Sequence, residues 1–181
     1  MTDQDDKPGR VLVAFGTKYG STAEIAEAIG KALGEAGLDV DVQRAREVKT
    51  LEPYTAVVIG SAVYMRRWRR EAVRLLRRHR RELADRRLWL FSSGPVGEQD
   101  DEDEEKAERR ARPKLVEDFV LEVGAREHVM FGGCVSPDEG GLIRKRIAKK
   151  TPPELRDRRD WDEIRGWAER IAAELKGEDD E

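Results

Sequence analysis

A chain of 181 residues suits one domain with a single core and leaves little room for a second folding unit. With 40% charged and 38% hydrophobic residues, its apolar positions must be gathered into short, well-patterned segments inside a strongly solvated shell. Lys plus Arg (35) nearly balances Asp plus Glu (38), and the single cysteine, Cys134, excludes an internal disulfide and argues against a thiolate metal site.

Residues 1 to 9 are acidic and polar and read as a disordered tail with no apolar leader region. Val11-Leu12-Val13-Ala14-Phe15 is a continuous apolar run between Gly9 and Gly16, as expected of a strand buried on both faces. Ser21-Thr22-Ala23-Glu24 then has the form of a capping box, and Ile25, Ala26, Ile29, Ala32, Leu33 and Ala36 recur at helical spacing until Gly37. Asp39 to Arg44 alternates as a half-exposed edge strand does, whereas Ala56-Val57-Val58-Ile59-Gly60 is apolar throughout, like an inner strand. Trp68, Ala72, Leu75, Leu76, His79 and Leu83 form one stripe of a second helix, and Leu88-Trp89-Leu90-Phe91 supplies another buried strand.

Residues 98 to 112 are almost wholly charged, lack a periodic apolar face and read as a solvated insertion. A helix is expected around Lys114 to Val123, a strand around His128 to Phe131 ended by Gly132-Gly133, and a short basic helix over Leu142 to Ala148. Asp160 and Glu163 cap a last helix with the stripe Trp161, Ile164, Ala168, Ile171, Ala172 and Leu175, before an acidic tail from 176 to 181. One domain from 10 to 175 is the expectation, with no stretch near the roughly 18 apolar residues that cross a bilayer.

Strands alternating with helices at these lengths imply a mainly parallel sheet covered on both faces by right-handed crossovers. Ligands bind such sheets where loops leave the carboxyl ends of the strands, which selects residues 16 to 22, 61 to 66 and 92 to 97. The first loop, Gly16-Thr17-Lys18-Tyr19-Gly20-Ser21-Thr22, opens a helix whose unpaired N–H groups and partial positive charge hold phosphate. Hydroxyls at Thr17, Ser21 and Thr22 add further hydrogen bonds. Neither the Walker spacing nor Gly-x-Gly-x-x-Gly occurs, so a monophosphate ester is the better candidate; the competing role for Ser21 is that of a helix cap alone.

Phe15-x-Thr17-x-x-Gly20-Ser21-Thr22 after the first strand resembles the phosphate loop of flavodoxins, with Tyr19 standing where a threonine is frequent. Gly60-Ser61-Ala62-Val63-Tyr64, Gly132-Gly133 and Arg159-Asp160-Trp161 are similar to the menaquinone-dependent protoporphyrinogen oxidase branch, over about residues 10 to 175. The resemblance implies a flavodoxin-like three-layer α/β sandwich, its five-stranded and mainly parallel sheet in the order 2-1-3-4-5, with FMN as cofactor. It implies that Thr17, Lys18, Tyr19, Gly20, Ser21 and Thr22 surround the FMN phosphate. Ser61, Ala62, Val63 and Tyr64, together with Ser93, Gly94, Pro95, Val96 and Gly97, would then flank the ring system. Tyr64 is the aromatic of those two loops and the candidate for stacking, while Trp68 reads chiefly as core.

Nine of the 16 residues from Arg66 to Arg81 are arginine, and they begin beside that rim. Arg66, Arg67, Arg69 and Arg70 could meet the carboxylates of an anionic substrate, although a solvated helix face is the commoner role of any single arginine. Leu142 to Lys150 is basic and amphipathic, as peripheral membrane helices are, and Asp100 to Glu105 forms an opposing acidic run. No catalytic side chain and no metal site is indicated, so the reaction belongs to the flavin. The resemblance thus implies an FMN oxidoreductase of protoporphyrinogen oxidase type with a quinone acceptor, in the cytoplasm or peripheral on the inner membrane face. The alternatives are an electron carrier serving a redox partner and a flavin-free interaction domain. Nucleic acid is disfavoured by the net charge of -3 and the lack of a binding module.

Overall fold

The computed structural model describes residues 9–94, 113–135 and 141–179. The charged insertion at 98 to 112 and the loop residues Pro95, Val96 and Gly97 lie outside the described residues.

Five parallel strands form the sheet: β1 (Arg10–Gly16), β2 (Val40–Arg44), β3 (Tyr54–Tyr64), β5 (Arg87–Gly94) and β6 (Glu127–Gly132). Their order is β2-β1-β3-β5-β6, and a two-residue strand β4 (Arg67–Trp68) pairs antiparallel with the end of β3. With β4 set aside, this is the expected 2-1-3-4-5 order. The helices are α1 (Ser21–Glu35), α2 (Arg70–Arg78), α3 (Arg80–Ala84), α4 (Lys114–Val123), α5 (Leu142–Lys150) and α6 (Trp161–Asp179), with a 3-10 turn at Pro153–Leu155.

The sheet is buried on both faces because successive side chains of each inner strand point to opposite layers. Val11, Val13 and Phe15 of β1, with Trp89 and Phe91 of β5, meet α1 and α6. Leu12 and Ala14, with Leu88 and Leu90, meet α2, α3 and α4. The α1–α6 layer comes close to β3 at Gly60, where an added Cβ would lie 1.9 Å from the Phe91 ring; only glycine leaves room for that ring.

Four sequence expectations change. Trp68 stands in β4, not on the helix that follows, because Met65 and Arg66 turn the chain back on β3. The second helix is two, α2 ending and α3 beginning at His79, whose Nδ1 is hydrogen-bonded to Glu82 at 2.7 Å. In α6, Trp161 is 43% exposed and Trp167 fills the core position at 1%. That helix also runs on to Asp179, so the region expected to be an acidic tail begins in helical conformation. The Asp160 cap is present: its Oδ1 accepts the N–H groups of Asp162 and Glu163 at 3.0 Å each.

Candidate functional site

The carboxyl ends of β1, β3 and β5 bring together residues 16–22, 61–66 and 92–94, although residues 61–64 and 92–94, expected in the second and third loops, are still paired strand at the ends of β3 and β5. In the first loop Gly20 occupies the N-cap of α1 with φ 96° and ψ -27°, a left-handed conformation in which a side chain would be strained. Ser21 is therefore the first helical residue and makes no cap bond, which replaces the expected capping box. Thr17 folds the loop on itself by accepting the Gly20 N–H at 3.0 Å through its hydroxyl. The N–H groups of Ser21, Thr22 and Ala23 point out of the first turn with no intrahelical acceptor to use.

Ser21 Oγ is buried and has no hydrogen-bond partner among the described residues. A hydroxyl left in that state costs about 1–3 kcal/mol. A phosphate oxygen is the kind of acceptor that relieves it, beside the exposed amides and the positive end of the α1 dipole. The residues therefore fit a phosphate monoester on grounds internal to the loop.

The remaining hydroxyls act as struts. Thr22 Oγ1 and Ser93 Oγ are 2.8 Å apart and buried, tying the first loop to the third. Ser61 Oγ accepts the Arg69 N–H at 2.8 Å and donates to the Ala62 carbonyl, which fixes the start of α2 against β3. Trp68 Nε1 donates to Ser92 Oγ at 2.8 Å, and Ser92 is also 2.9 Å from His128 Nε2. With Trp68 only 5% exposed, its indole holds the second loop from beneath and is not available to stack on a ligand.

Tyr64 is half-buried at the rim and meets Tyr19 edge-to-face, with centroids 6.1 Å apart, so the first and second loops share an aromatic wall. Lys18 Nζ lies 4.9 Å from the Tyr19 centroid and Arg69 Cζ 5.8 Å from that of Tyr64, giving the wall a cationic edge. Beyond Tyr64, Met65 and Arg66 form a two-residue hairpin with φ 49° and 60°. Glycine or asparagine would normally occupy these positions, so the turn stores strain. Met65 projects from it at 94% exposure.

Of the arginines expected to meet a substrate, Arg66, Arg67 and Arg70 are exposed at the rim, while Arg69 is half-buried. Three features carry no signal in the sequence: the Met65 tip, the polar chain Trp68-Ser92-His128, and Glu71, whose Oε1 accepts the Thr17 N–H at 3.0 Å. The last two are defined by partners distant in sequence, and the Met65 tip by a turn without glycine or asparagine. No group of three His, Cys, Asp or Glu side chains able to hold a metal occurs among the described residues.

The sequence matches the family model described as Flavodoxin domain over residues 12–151. No curated protein matches it. A flavodoxin from the domain Archaea superposes with a TM-score of 0.58 at 16% identity, covering 92% of this chain and 99% of that one. A mutant flavodoxin from Pseudomonas aeruginosa gives 0.61 at 18%, covering 92% of this chain and 99% of that one. The rubredoxin oxygen:oxidoreductase of Desulfovibrio gigas gives 0.63 at 12%, with 96% of this chain but 38% of that chain covered. These likenesses concern the fold, and the three loops described above lie at its ligand-binding edge.

Proposed function

This chain belongs to the flavodoxin domain family and binds FMN, and on that premise we propose that it is an electron-transfer flavoprotein that oxidises an anionic, electron-rich substrate of protoporphyrinogen type and delivers the electrons to a quinone. Bound FMN supplies the redox chemistry. The chain's own residues bind, orient and screen it. Thr17, Lys18, Tyr19, Gly20, Ser21 and Thr22 hold the phosphate end, and the orphaned Ser21 Oγ is the observation that carries this assignment. Ser61, Ala62, Val63 and Tyr64, with Ser93 and Gly94, line the ring end, where Tyr64 offers an aromatic face and the small third-loop residues permit close backbone approach.

For the substrate, Arg66, Arg67 and Arg70 support an anion: they are exposed beside Tyr64 and make no ion pair with the described residues. Guanidinium groups pair bidentately with carboxylates. The basic helix α5, with Leu142 88% exposed, supports contact with a quinone-bearing membrane face. No described helix is long and apolar enough to cross a membrane.

A second reading is an electron carrier that docks an acidic redox protein. It is favoured by the continuation of exposed arginine along α2 and α3 through Arg74, Arg77, Arg78 and Arg81. At roughly 1.5 Å rise per residue, α2 alone carries that stripe about 12 Å from Arg70 to Arg78, and Arg81 extends it onto α3.

Visible spectra of the protein reconstituted with FMN test the common premise, and a colourless protein that takes up no flavin defeats both readings. Anaerobic mixing with protoporphyrinogen then separates them. Rapid bleaching of the flavin band supports the enzyme; no bleaching, beside fast exchange with an acidic redox protein, supports the carrier.

A further inference from the structure

Resting on the FMN reading, we propose that Arg69 is a charge-neutralising ligand of the cofactor's phosphate and not, like its neighbours, a residue of the substrate rim. Eight of the nine arginines between positions 66 and 81 are exposed, and Arg69 alone is half-buried. Its backbone N–H is fixed to Ser61 Oγ at 2.8 Å. Its stem packs on the start of the phosphate loop: a Cβ added to Gly16 would lie 3.0 Å from Arg69 Cβ. The residue is thus built against the first two ligand loops at once.

Among the described residues its guanidinium nevertheless makes no hydrogen bond. Nε is buried and unbonded, and no carboxylate among the described residues forms an ion pair with the group, which rests near the Tyr64 ring at 5.8 Å. Glu71, two positions on, is turned to the Thr17 N–H instead. Nε is the shut-off donor of that charged group, and a buried donor without an acceptor is costly and calls for an anion. Among the described residues only three buried side-chain polar atoms lack partners: Ser21 Oγ, Arg69 Nε and His79 Nε2. The first two belong to the walls of this site, and both can donate; an acceptor-rich dianion is a group that satisfies both. Phosphate is favoured over a substrate carboxylate because Arg69 packs on Gly16 and Ser61, inward of Tyr64, whereas Arg66, Arg67 and Arg70 face solvent.

The test compares FMN with riboflavin, which differ only in the phosphate, by quenching of flavin fluorescence on titration with the flavin-free protein. Arg69→Gln should lower FMN affinity about 10- to 100-fold, the range of a charge-assisted hydrogen bond, and leave riboflavin affinity within about twofold. Arg69→Lys should recover part of the loss, since it keeps the charge without the planar fork. Inorganic phosphate should raise the melting temperature of the flavin-free native protein but not that of Arg69→Gln. An unchanged FMN-to-riboflavin ratio in Arg69→Gln, or an equal loss for both flavins, overturns the inference while the FMN reading stands. Failure of the native protein to bind either flavin defeats that reading itself. Circular dichroism of Arg69→Gln and Arg69→Lys checks that both are folded, and the lysine variant carries the comparison if the glutamine variant is not.

Discussion

The two faces of the sheet bury similar apolar surfaces and differ in what they show to solvent. On the α1–α6 face the core closes around Phe91, Phe131 and Trp167, whose centroids lie 5.6–6.2 Å apart, and Trp167 Nε1 donates to Glu127 at 2.7 Å. Its surface charges pair across elements, Arg159 with Glu24, Arg165 with Glu35 and Arg126 with Glu174. On the α2–α4 face an equally buried core lies beneath Arg70, Arg74, Arg77, Arg78 and Arg81, which form no ion pair with the described residues; one arginine of the stripe, Arg80, pairs with Glu122 of α4 at 3.1 Å. Like charges four apart on a helix oppose its formation by roughly 0.2–0.5 kcal/mol per pair. A face that keeps such repulsion is suited to encounter with an anion, and a face that cancels its charges is suited to holding the fold.

The largest expected effect tests the structural face. Trp167→Ala removes a fully buried indole and its hydrogen bond, and should destabilise the protein by about 3–5 kcal/mol in urea unfolding. A loss below about 1 kcal/mol would mean that α6 is not the closing element of that layer. At the loop between the faces, Ser21→Ala should leave stability nearly unchanged or slightly raised, because it deletes an unsatisfied hydroxyl, yet weaken FMN binding by about tenfold. Isothermal titration with FMN separates the two effects; unchanged affinity would show that the hydroxyl does not reach the phosphate.

The arginine face should behave in the opposite sense. Arg74→Glu with Arg77→Glu should alter melting by little, since both side chains are exposed and unpaired, while slowing association with an acidic redox protein at low salt by about tenfold or more. Stopped-flow rates across an ionic-strength series read this out. Rates equal to those of the native protein at every salt concentration would make the stripe a merely solvated surface.

What could be read from the sequence follows the range of the interactions involved. Val11 to Phe15 and Ala56 to Gly60 announce doubly buried strands because every position is apolar, and the sheet order follows once the glycine loop is placed after the first strand. The sequence places Trp68 on a helix because Trp68, Ala72, Leu75 and Leu76 also fit a helical period. Its true conformation depends on a hairpin without glycine or asparagine and on a hydrogen bond to Ser92, 24 positions away. Ser21 looked like a cap by its spacing to Glu24, but Gly20 supplies the left-handed residue that ends the loop. Trp161 and Trp167 both lie near the apolar stripe of α6; only packing against Phe91 and Phe131 decides which is buried. Arg69 is hidden among eight other arginines for the same reason, its distinction being its contact with Gly16 and Ser61.

The smallest effect distinguishes the faces by pH. Asp157 is held below its ordinary value of 3.8, chiefly by the side-chain hydrogen bond from Arg159, whose guanidinium is in turn held charged by Asp157 and Glu24. A depressed carboxylate contributes stability that is present above its unfolded pKa and is lost as pH falls through its lower folded pKa. Asp157→Asn should therefore be less stable than the native chain at pH 7, and the gap should close only when the pH is taken below about 4. Since the Asp157 side chain is 46% exposed, solvent screening limits the gap to about 1 kcal/mol or less. Arg74→Gln on the other face breaks no carboxylate pair, so its stability relative to the native chain should not move through the same acid range. A matching acid dependence in both variants would place hidden counter-charges on the arginine face and remove the contrast between the two.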